Sequence, residues 1–213
     1  IGLHLNIDGH DVYTRLVGAF NASNLLAVYC VATALGETPL QILTALSDLE
    51  PPRGRFQIVR GTSGVMGIVD YAHTPDALKN VLTTIRDVCT GDEKVYTVIG
   101  CGGDRDRTKR PIMARIAAEY SHVAVLTSDN PRSEEPNAII EEMKAGLSTA
   151  DRTRCFTVVD RREAIAMACN LAKPGDVVLL AGKGHETYQE IAGVKHDFDD
   201  VAVLKETLEL LHK

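Results

Sequence analysis

The sequence predicts an α/β fold with a mostly parallel sheet and helices on both faces, and three observations support this. From residue 56 onward, short apolar runs alternate with longer segments of helical periodicity. The links between them are short, which favours parallel strands joined by crossover helices. Four of the apolar runs end directly in polar or glycine-rich turns, as strands do beside a ligand crevice.

The first 50 residues have a different pattern, which indicates a separate domain. Residues 1–17 are typical of a β-hairpin fragment, and two helices are predicted after it, over 22–35 and from Pro39. Two prolines and a glycine then separate this helical region from strand-rich sequence. We therefore predict one domain over residues 1–50 and a second over residues 51–213.

The second domain is predicted to alternate strands and helices. Thr74 and Pro75 supply the cap and the first position of the helix with the clearest apolar stripe. Asp160, with Glu163 three residues later, gives a start that resembles a capping box. In chain order we predict strands 56–60 and 65–69, helix 74–88, strand 95–100, helix 111–120, strand 123–127, helix 137–147, strand 155–159, helix 160–172, strand 177–181 and helix 201–211.

The composition excludes several classes of function. A net charge of -6 without a basic run argues against binding of nucleic acid or of an anionic membrane surface. No apolar stretch approaches the roughly 18 residues of a membrane span. Five cysteines without CxxC spacing predict reduced thiols, and no His or Cys cluster has the spacing of a metal site. We expect a soluble cytoplasmic protein whose partners are small molecules or proteins.

The turns that follow the four apolar runs offer the groups needed to bind a small zwitterion. Arg105 and Arg132 present planar forks that suit carboxylates. Asp129 and Glu186 can accept hydrogen bonds from an ammonium group. Because the carboxyl ends of parallel strands meet at one edge of a sheet, we expect these side chains to share one site.

The turn Asp129-Asn130-Pro131-Arg132 has two interpretations. Pro131 would stiffen it, and the side chains of Asp129 and Asn130 can bond their own backbone, so that Arg132 is aimed at a ligand. Alternatively, the turn is an ordinary capped link with Arg132 in solvent. The coincidence with the other loops, where Gly182 would let the backbone approach a ligand closely, favours the first interpretation.

Two further loops allow a weaker inference. Asp70 and His73 flank a strand end before a helix, a common place for ribose or phosphate to bind, although a histidine there is often only structural. The glycine-rich run 100–103 could cradle a phosphate or be an ordinary turn. Gly182-Lys183 lacks the Walker pattern, and His185 has no second histidine at metal-ligand spacing.

The chain resembles the carboxyl-terminal portion of the Mur ligases over nearly its whole length. The residues that carry the resemblance are DYAHTPDAL at 70–78, GCGGDRDRTKRP at 100–111, TSDNPRSEEP at 127–136, AGKGHETYQ at 181–189 and GAFNASNLLA at 18–27. It implies a Rossmann-like sheet for residues 51–213, preceded by a helical and β remnant of the family's central ATPase domain.

The resemblance also implies an activity. In its diaminopimelate-adding branch, ATP phosphorylates the D-glutamyl carboxylate of UDP-N-acetylmuramoyl-L-alanyl-D-glutamate, and the amine of meso-diaminopimelate attacks the acyl phosphate. The products are an amide, ADP and phosphate, in cytoplasmic peptidoglycan synthesis by a monomeric enzyme. The lysine-adding and folylpolyglutamate ligases, and a non-catalytic amino-acid-binding module of the same fold, remain as alternatives.

Site residues follow from the same resemblance. Asn24 would contact the adenine region, and Arg55, Asp70 and His73 would contact ATP. Arg132 would pair with the distal carboxylate that lysine lacks. The residues expected to hold diaminopimelate are Arg105, Asp129, Asn130, Pro131, Arg132, Gly182 and Glu186.

The resemblance places other parts of the family's machinery before Ile1. These are the P-loop, the magnesium-binding Glu and His, the carbamylated lysine and the UDP-binding domain, none of which is in this chain. ATP and Mg²⁺ are therefore expected to be held mainly upstream, with no catalytic or metal-binding residue here. The chain is expected to be a fragment that is inactive alone.

Overall fold

The structure, a computed structural model, describes residues 2–89 and 91–211. It divides into two compact units, Ile1–Pro52 and Arg53–Lys213, so the division falls two residues after the boundary predicted from the prolines. No helix within the described ranges is long and apolar enough to cross a membrane. All five cysteines are free thiols.

The first unit is a β-hairpin followed by two helices, as predicted. Strands β1 (Leu3–Ile7) and β2 (His10–Thr14) pair antiparallel around a two-residue turn. Helix α1 (Phe20–Ala34) and helix α2 (Pro39–Asp48) follow. The start of α2 is fixed by Thr38, which forms a capping box with Gln41 ahead of the proline. Its apolar residues face a small core.

The second unit contains a six-stranded sheet in the order β3-β4-β8-β5-β6-β7. Only the edge strand β3 runs antiparallel to its neighbour, which confirms the predicted mostly parallel sheet. The strands are β3 (Gln57–Arg60), β4 (Met66–Asp70), β5 (Val95–Ile99), β6 (Val123–Leu126), β7 (Cys155–Thr157) and β8 (Val177–Ala181).

Helices cover both faces of this sheet. Val98 and Leu180 point into a core shared with helices α6 and α7. Ile68, Ile99 and Leu179 are adjacent to such residues in the strands, so they point to the opposite face, and they are completely buried too. The helices are α3 (Pro75–Val88), α4 (Lys109–Tyr120), α5 (Pro136–Lys144), α6 (Arg161–Leu171) and α7 (Asp200–Leu210), with a 3₁₀ turn at Asp151–Thr153.

Two predicted helix starts are confirmed by their caps. The Thr74 hydroxyl accepts a hydrogen bond from the Ala77 amide at 3.4 Å, and Pro75 follows as the first helical residue. Asp160 accepts one from the Glu163 amide at 2.9 Å. Because these caps fix where α3 and α6 begin, they also fix where the preceding strand-end loops finish.

The sequence did not predict the hairpin of β9 (Tyr188–Ile191) and β10 (Val194–Asp197). Its turn residues Ala192 and Gly193 both have positive φ, 49° and 77°. This is the geometry of a two-residue hairpin turn, which is usually announced by Asn-Gly or Asp-Gly. The polar, largely exposed strands and the Ala-Gly turn explain why the pattern gave no signal.

Candidate functional site

The carboxyl ends of the sheet strands open into one cavity of about 540 Å³, here called the strand-end cavity. The loops that follow β4, β5, β6 and β8 all contribute to its walls. Seven of the residues singled out from the sequence line it: His73, Arg105, Asp129, Asn130, Arg132, Gly182 and Glu186. The structure therefore brings the four loops together.

The loops after β5 and β6 are joined through their backbones. The Gly103 amide donates to the Asn130 carbonyl at 2.9 Å, and Nη1 of Arg132 donates to the Gly103 carbonyl at 2.8 Å. A Cβ atom at Gly103 would lie 1.9 Å from the carbonyl oxygen of Pro131. Only glycine allows this approach. Pro131 is not among the lining residues of the cavity; its carbonyl packs against Gly103 behind them.

A buried arginine braces the same two loops. Arg110 is completely buried, and its guanidinium donates to both carboxylate oxygens of Glu134 at 2.8 and 2.9 Å. It also reaches Glu142 at 2.8 Å and the Gly102 carbonyl at 3.2 Å. These hydrogen bonds lower the pKa of Glu134 to about 2. Glu134 and Glu142 lie 24 and 32 residues from Arg110 in the chain, so no local sequence pattern predicts these contacts.

Arg132 is held in a left-handed backbone conformation, with φ of 52°. Its amide donates to the Glu190 carbonyl at 3.0 Å, and its carbonyl accepts from the Ala192 amide at 2.7 Å. Its Nε lies 3.9 Å from the carboxylate of Glu190. The hairpin that the sequence did not predict therefore fixes where Arg132 points.

The predicted reason for that aim was wrong. Asn130 does not use its side chain on its own turn: Oδ1 accepts from the Glu190 amide at 2.9 Å and from Nζ of Lys183 at 3.2 Å. Its Nδ2 donates to Glu186 at 2.8 Å. Asn130 thus lines the cavity while its amide is occupied by protein partners. It ties the Arg132 turn to the hairpin and to the loop after β8.

Lys183 holds the Glu186 carboxylate in place. The side chain of Lys183 is completely buried, and Nζ lies 3.2 Å from Glu186 Oε2, the oxygen that also accepts from Asn130. From the sequence, Lys183 was considered as a P-loop lysine, and the missing Walker pattern excluded that role. Its actual contacts are structural, because they orient an acidic side chain that lines the cavity.

Asp129 is the most buried acidic residue of the cavity wall, with 8% of its surface exposed. Burial raises the pKa of its carboxyl, while the charges of Arg161 and Lys183 oppose that shift. Gly182, with φ of 111°, has no side chain where a Cβ would lie 2.7 Å from Asp129 Oδ2. Within the described ranges no side chain or amide donates to this carboxylate, so a ligand ammonium could do so.

The two arginines of the cavity share one corner. A Cβ at Gly102 would lie 2.9 Å from Nη1 of Arg132 and 3.7 Å from Cγ of Arg105. Arg105 is exposed, and its Nη1 contacts only the neighbouring Asp104 carbonyl among the hydrogen-bonding groups described, at 3.1 Å. Its guanidinium therefore keeps most of its donors for a ligand.

Cys101 lines the cavity but is a poor candidate nucleophile. The thiol is buried, and burial raises its pKa to about 12. It therefore stays protonated at neutral pH, and Cys101 serves as a small residue at the end of β5. The glycine-rich run around it serves close packing: at Gly100 a Cβ would lie 2.6 Å from the Thr127 carbonyl.

The four residues assigned to ATP from the sequence fall in two places. Arg55 stacks over the ring of Tyr71 at 4.8 Å, and His73 lies 4.6 Å from the same ring, with Nδ1 2.9 Å from the Tyr71 carbonyl. Asp70 accepts from the Phe56 amide at 2.7 Å; burial raises its pKa. Asn24 lies in the first unit, exposed on α1.

A family model described as "Mur ligase, glutamate ligase domain" matches residues 54–184. The chain belongs to the Mur ligase family. Within this family it is 54% identical, over 212 residues, to the UDP-N-acetylmuramoyl-L-alanyl-D-glutamate--2,6-diaminopimelate ligase of Cytophaga hutchinsonii. That match covers 100% of this chain and 43% of the relative. The equally named protein of Bacteroides fragilis is 54% identical over 209 residues, or 98% of this chain and 43% of its own.

Solved structures of other proteins have the same fold. A structure of a UDP-N-acetylmuramoyl-L-alanyl-D-glutamate--2,6-diaminopimelate ligase superposes with a TM-score of 0.71 at 40% identity, over 99% of this chain and 43% of that chain. A folylpolyglutamate synthase from Thermotoga maritima gives 0.59 at 20% identity over 81% and 38%, a likeness of fold alone. The chain spans less than half the length of these relatives.

Proposed function

We propose that this chain is the amino-acid-binding part of a Mur ligase that adds meso-2,6-diaminopimelate to UDP-N-acetylmuramoyl-L-alanyl-D-glutamate. The charge layout of the strand-end cavity carries the proposal. Two guanidinium groups, of Arg105 and Arg132, and two carboxylates, of Asp129 and Glu186, line one space of about 540 Å³. Diaminopimelate carries two carboxylates and two ammonium groups, so the cavity offers cations to the former and anions to the latter.

The proposed reaction forms an amide at the expense of ATP. A phosphoryl group passes from ATP to the D-glutamyl carboxylate, the amine of diaminopimelate attacks the acyl phosphate, and ADP and phosphate leave. The part of this chain is to bind and orient the amine. Asp129 and Glu186 would accept hydrogen bonds from ammonium groups, and Arg105 and Arg132 would donate hydrogen bonds to carboxylate.

The nucleotide would meet this chain at the cluster around Tyr71. Arg55 and His73 are exposed there and present a cation and an imidazole to solvent. We assign Arg55, Asp70 and His73 to ATP contacts, and Asn24 to the adenine region. No group of three or more His, Cys, Asp or Glu side chains in the described ranges is arranged to hold a metal. We propose that Mg²⁺, which the family resemblance implies for the reaction, is held by residues upstream of this chain.

Arg132 is the proposed determinant of substrate choice. It would pair with the second carboxylate of diaminopimelate, which lysine lacks, and bound lysine would leave this largely buried guanidinium without that partner. Relatives that are 54% identical carry the name of the diaminopimelate-adding enzyme. These two points favour diaminopimelate over the substrates of the lysine-adding and folylpolyglutamate ligases.

The first unit is proposed to be the tail of the ATP-binding domain. Its helix α1 exposes apolar side chains in successive turns, including Leu26, Val28 and Val31. A helix that is apolar around most of its circumference belongs inside a larger body of protein. We further propose that the whole enzyme is a monomer acting in the cytoplasm, where ATP and the UDP-linked substrate are available.

Calorimetric titration of this chain with meso-diaminopimelate tests the proposal, with lysine as the control ligand. We expect diaminopimelate to bind at least about tenfold more tightly than lysine, because one charge-assisted contact is worth at least that factor. Equal affinities would refute the assignment of Arg132. A coupled assay of ADP release gives a second test: this chain alone should show no turnover, and turnover would contradict the proposed division of the enzyme.

A further inference from the structure

Lys109 is a third cationic residue of the strand-end cavity, after the two arginines. It is the first residue of α4, is half-buried and lines the cavity. Its Nζ donates to the His73 carbonyl at 2.7 Å. A lysine ammonium has three donors, so this bond leaves others for a ligand.

The position of Lys109 is unfavourable for the helix itself. Helix N-termini carry a partial positive charge that favours acidic side chains, yet α4 begins with Lys109 and Arg110 and has no acidic residue in its first turn. The charge of Arg110 is balanced by Glu134 and Glu142. Lys109 has no carboxylate within ion-pair distance among the described residues. Lys109 does not stabilise the helix electrostatically, and its side chain lines a cavity. This combination is expected of a residue that binds a ligand.

Lys109 also lies by a different wall of the cavity from the arginines. Arg105 and Arg132 flank Gly102, whereas the Lys109 ammonium contacts the loop that follows β4, at His73. The proposed function places the nucleotide beside that loop. The amine that attacks the acyl phosphate must therefore lie toward Lys109, and the far end of the amino acid toward the two arginines.

We propose that Lys109 binds the carboxylate next to the attacking amine, while Arg105 and Arg132 hold the carboxylate at the other end. This inference rests on the proposed function, since it divides the two carboxylates of that substrate between two sets of cations. Lys109 would then bind the carboxylate beside the attacking amine, a group that diaminopimelate and lysine both carry.

Calorimetric titration of Lys109→Gln and Arg132→Ala with both amino acids tests this division. Lys109→Gln should weaken meso-diaminopimelate and lysine alike, by about tenfold or more, because both lose a charge-assisted hydrogen bond. Arg132→Ala should weaken only diaminopimelate. Lys109→Arg, which keeps the charge, should recover part of the affinity. Lys205→Gln removes an exposed lysine on α7 and should change neither affinity.

The outcomes separate this inference from the proposed function. The inference would be overturned if Lys109→Gln bound both amino acids as tightly as the unaltered chain does, or if it lost affinity for diaminopimelate alone. The proposed function would still stand in either case. No binding of diaminopimelate by the unaltered chain would overturn both. The thermal unfolding midpoint of Lys109→Gln should stay close to that of the unaltered chain, because the variant loses the hydrogen bond to the His73 carbonyl but also removes a cation from a helix N-terminus.

Discussion

The two units of this chain differ in how far their large apolar side chains are exposed. Eight of the fourteen large apolar side chains that the described residues expose lie in the first 52 positions. Helix α1 shows the contrast most clearly: Leu26 and Val31 are 53% and 60% exposed. Helix α3 in the second unit buries Leu78, Leu82 and Ile85 completely.

The contrast shows which part of the sequence encodes its own core. Apolar residues on α3 follow one stripe, and that stripe meets the sheet of the same unit. The apolar residues of α1 lie all around the helix, and the small core of the first unit covers only one side of it. Leu25 and Tyr29 are buried in that core, and most of the others are exposed. The second unit is self-sufficient in this respect, and the first is not.

Separating the units is the test with the largest expected effect. Residues 53–213 expressed alone should unfold in one cooperative transition in urea, followed by far-ultraviolet circular dichroism. Residues 1–52 alone should show no such transition, because a small unit that leaves its apolar surface exposed cannot offset its conformational entropy. A cooperative transition of the isolated first unit would break the comparison.

A matched pair of substitutions extends the comparison to charges. In the second unit, Asp200 accepts two hydrogen bonds from Arg161 at 2.7 and 2.8 Å, and both side chains are completely buried. Asp200→Asn should lower the free energy of unfolding by about 3–5 kcal/mol, since it leaves a buried guanidinium without its counter-charge.

The control lies in the first unit, where Glu50 pairs with Arg15 at 2.8 Å while both side chains are mostly exposed. Glu50→Gln should cost less than about 1 kcal/mol, because water screens the exposed pair. Urea unfolding of the whole chain measures both values. Similar costs at the two sites would show that burial does not set the strength of these pairs.

The brace at Glu134 gives a smaller, pH-dependent effect within the second unit. Glu134→Gln should destabilise the chain by about 1–3 kcal/mol at pH 7, because Arg110 loses part of its buried pairing while Glu142 remains. Since the folded pKa of Glu134 lies below the ordinary value, at about 2, its contribution is present above pH 4.5. It should disappear as the pH falls from 4.5 toward 2.

Urea unfolding of the unaltered chain and of Glu134→Gln at several pH values checks this sign. The two free energies should converge on acidification. A difference that stays constant down to pH 2 would show that the carboxylate charge of Glu134 contributes nothing to the brace.

The sequence was most informative where structure is local. Thr74 and Asp160 announce helix starts through contacts three residues away, and the apolar runs announce the sheet. These signals predicted the fold class and the gathering of strand-end loops. They could not predict the hairpin that aims Arg132, since neither its polar strands nor its Ala-Gly turn carries a strong local preference.

The supports of the site were missed for another physical reason. Arg110, Arg161 and Lys183 are buried cations whose structural roles depend on partners 24 to 53 residues away in the chain. From the sequence alone they are expected to be ordinary surface charges. A charge can be buried only beside a paired group, and only the tertiary fold brings that group close. Asn130 was assigned to the right place but for the wrong contacts, for the same reason.

We propose that the second unit alone carries a diaminopimelate site built from four strand-end loops. Calorimetric titration of residues 53–213 with meso-diaminopimelate tests it most directly. The isolated unit should bind within about twofold of the whole chain, and lysine should bind at least about tenfold more weakly. Loss of binding on removal of residues 1–52, or equal affinity for lysine, would contradict the claim.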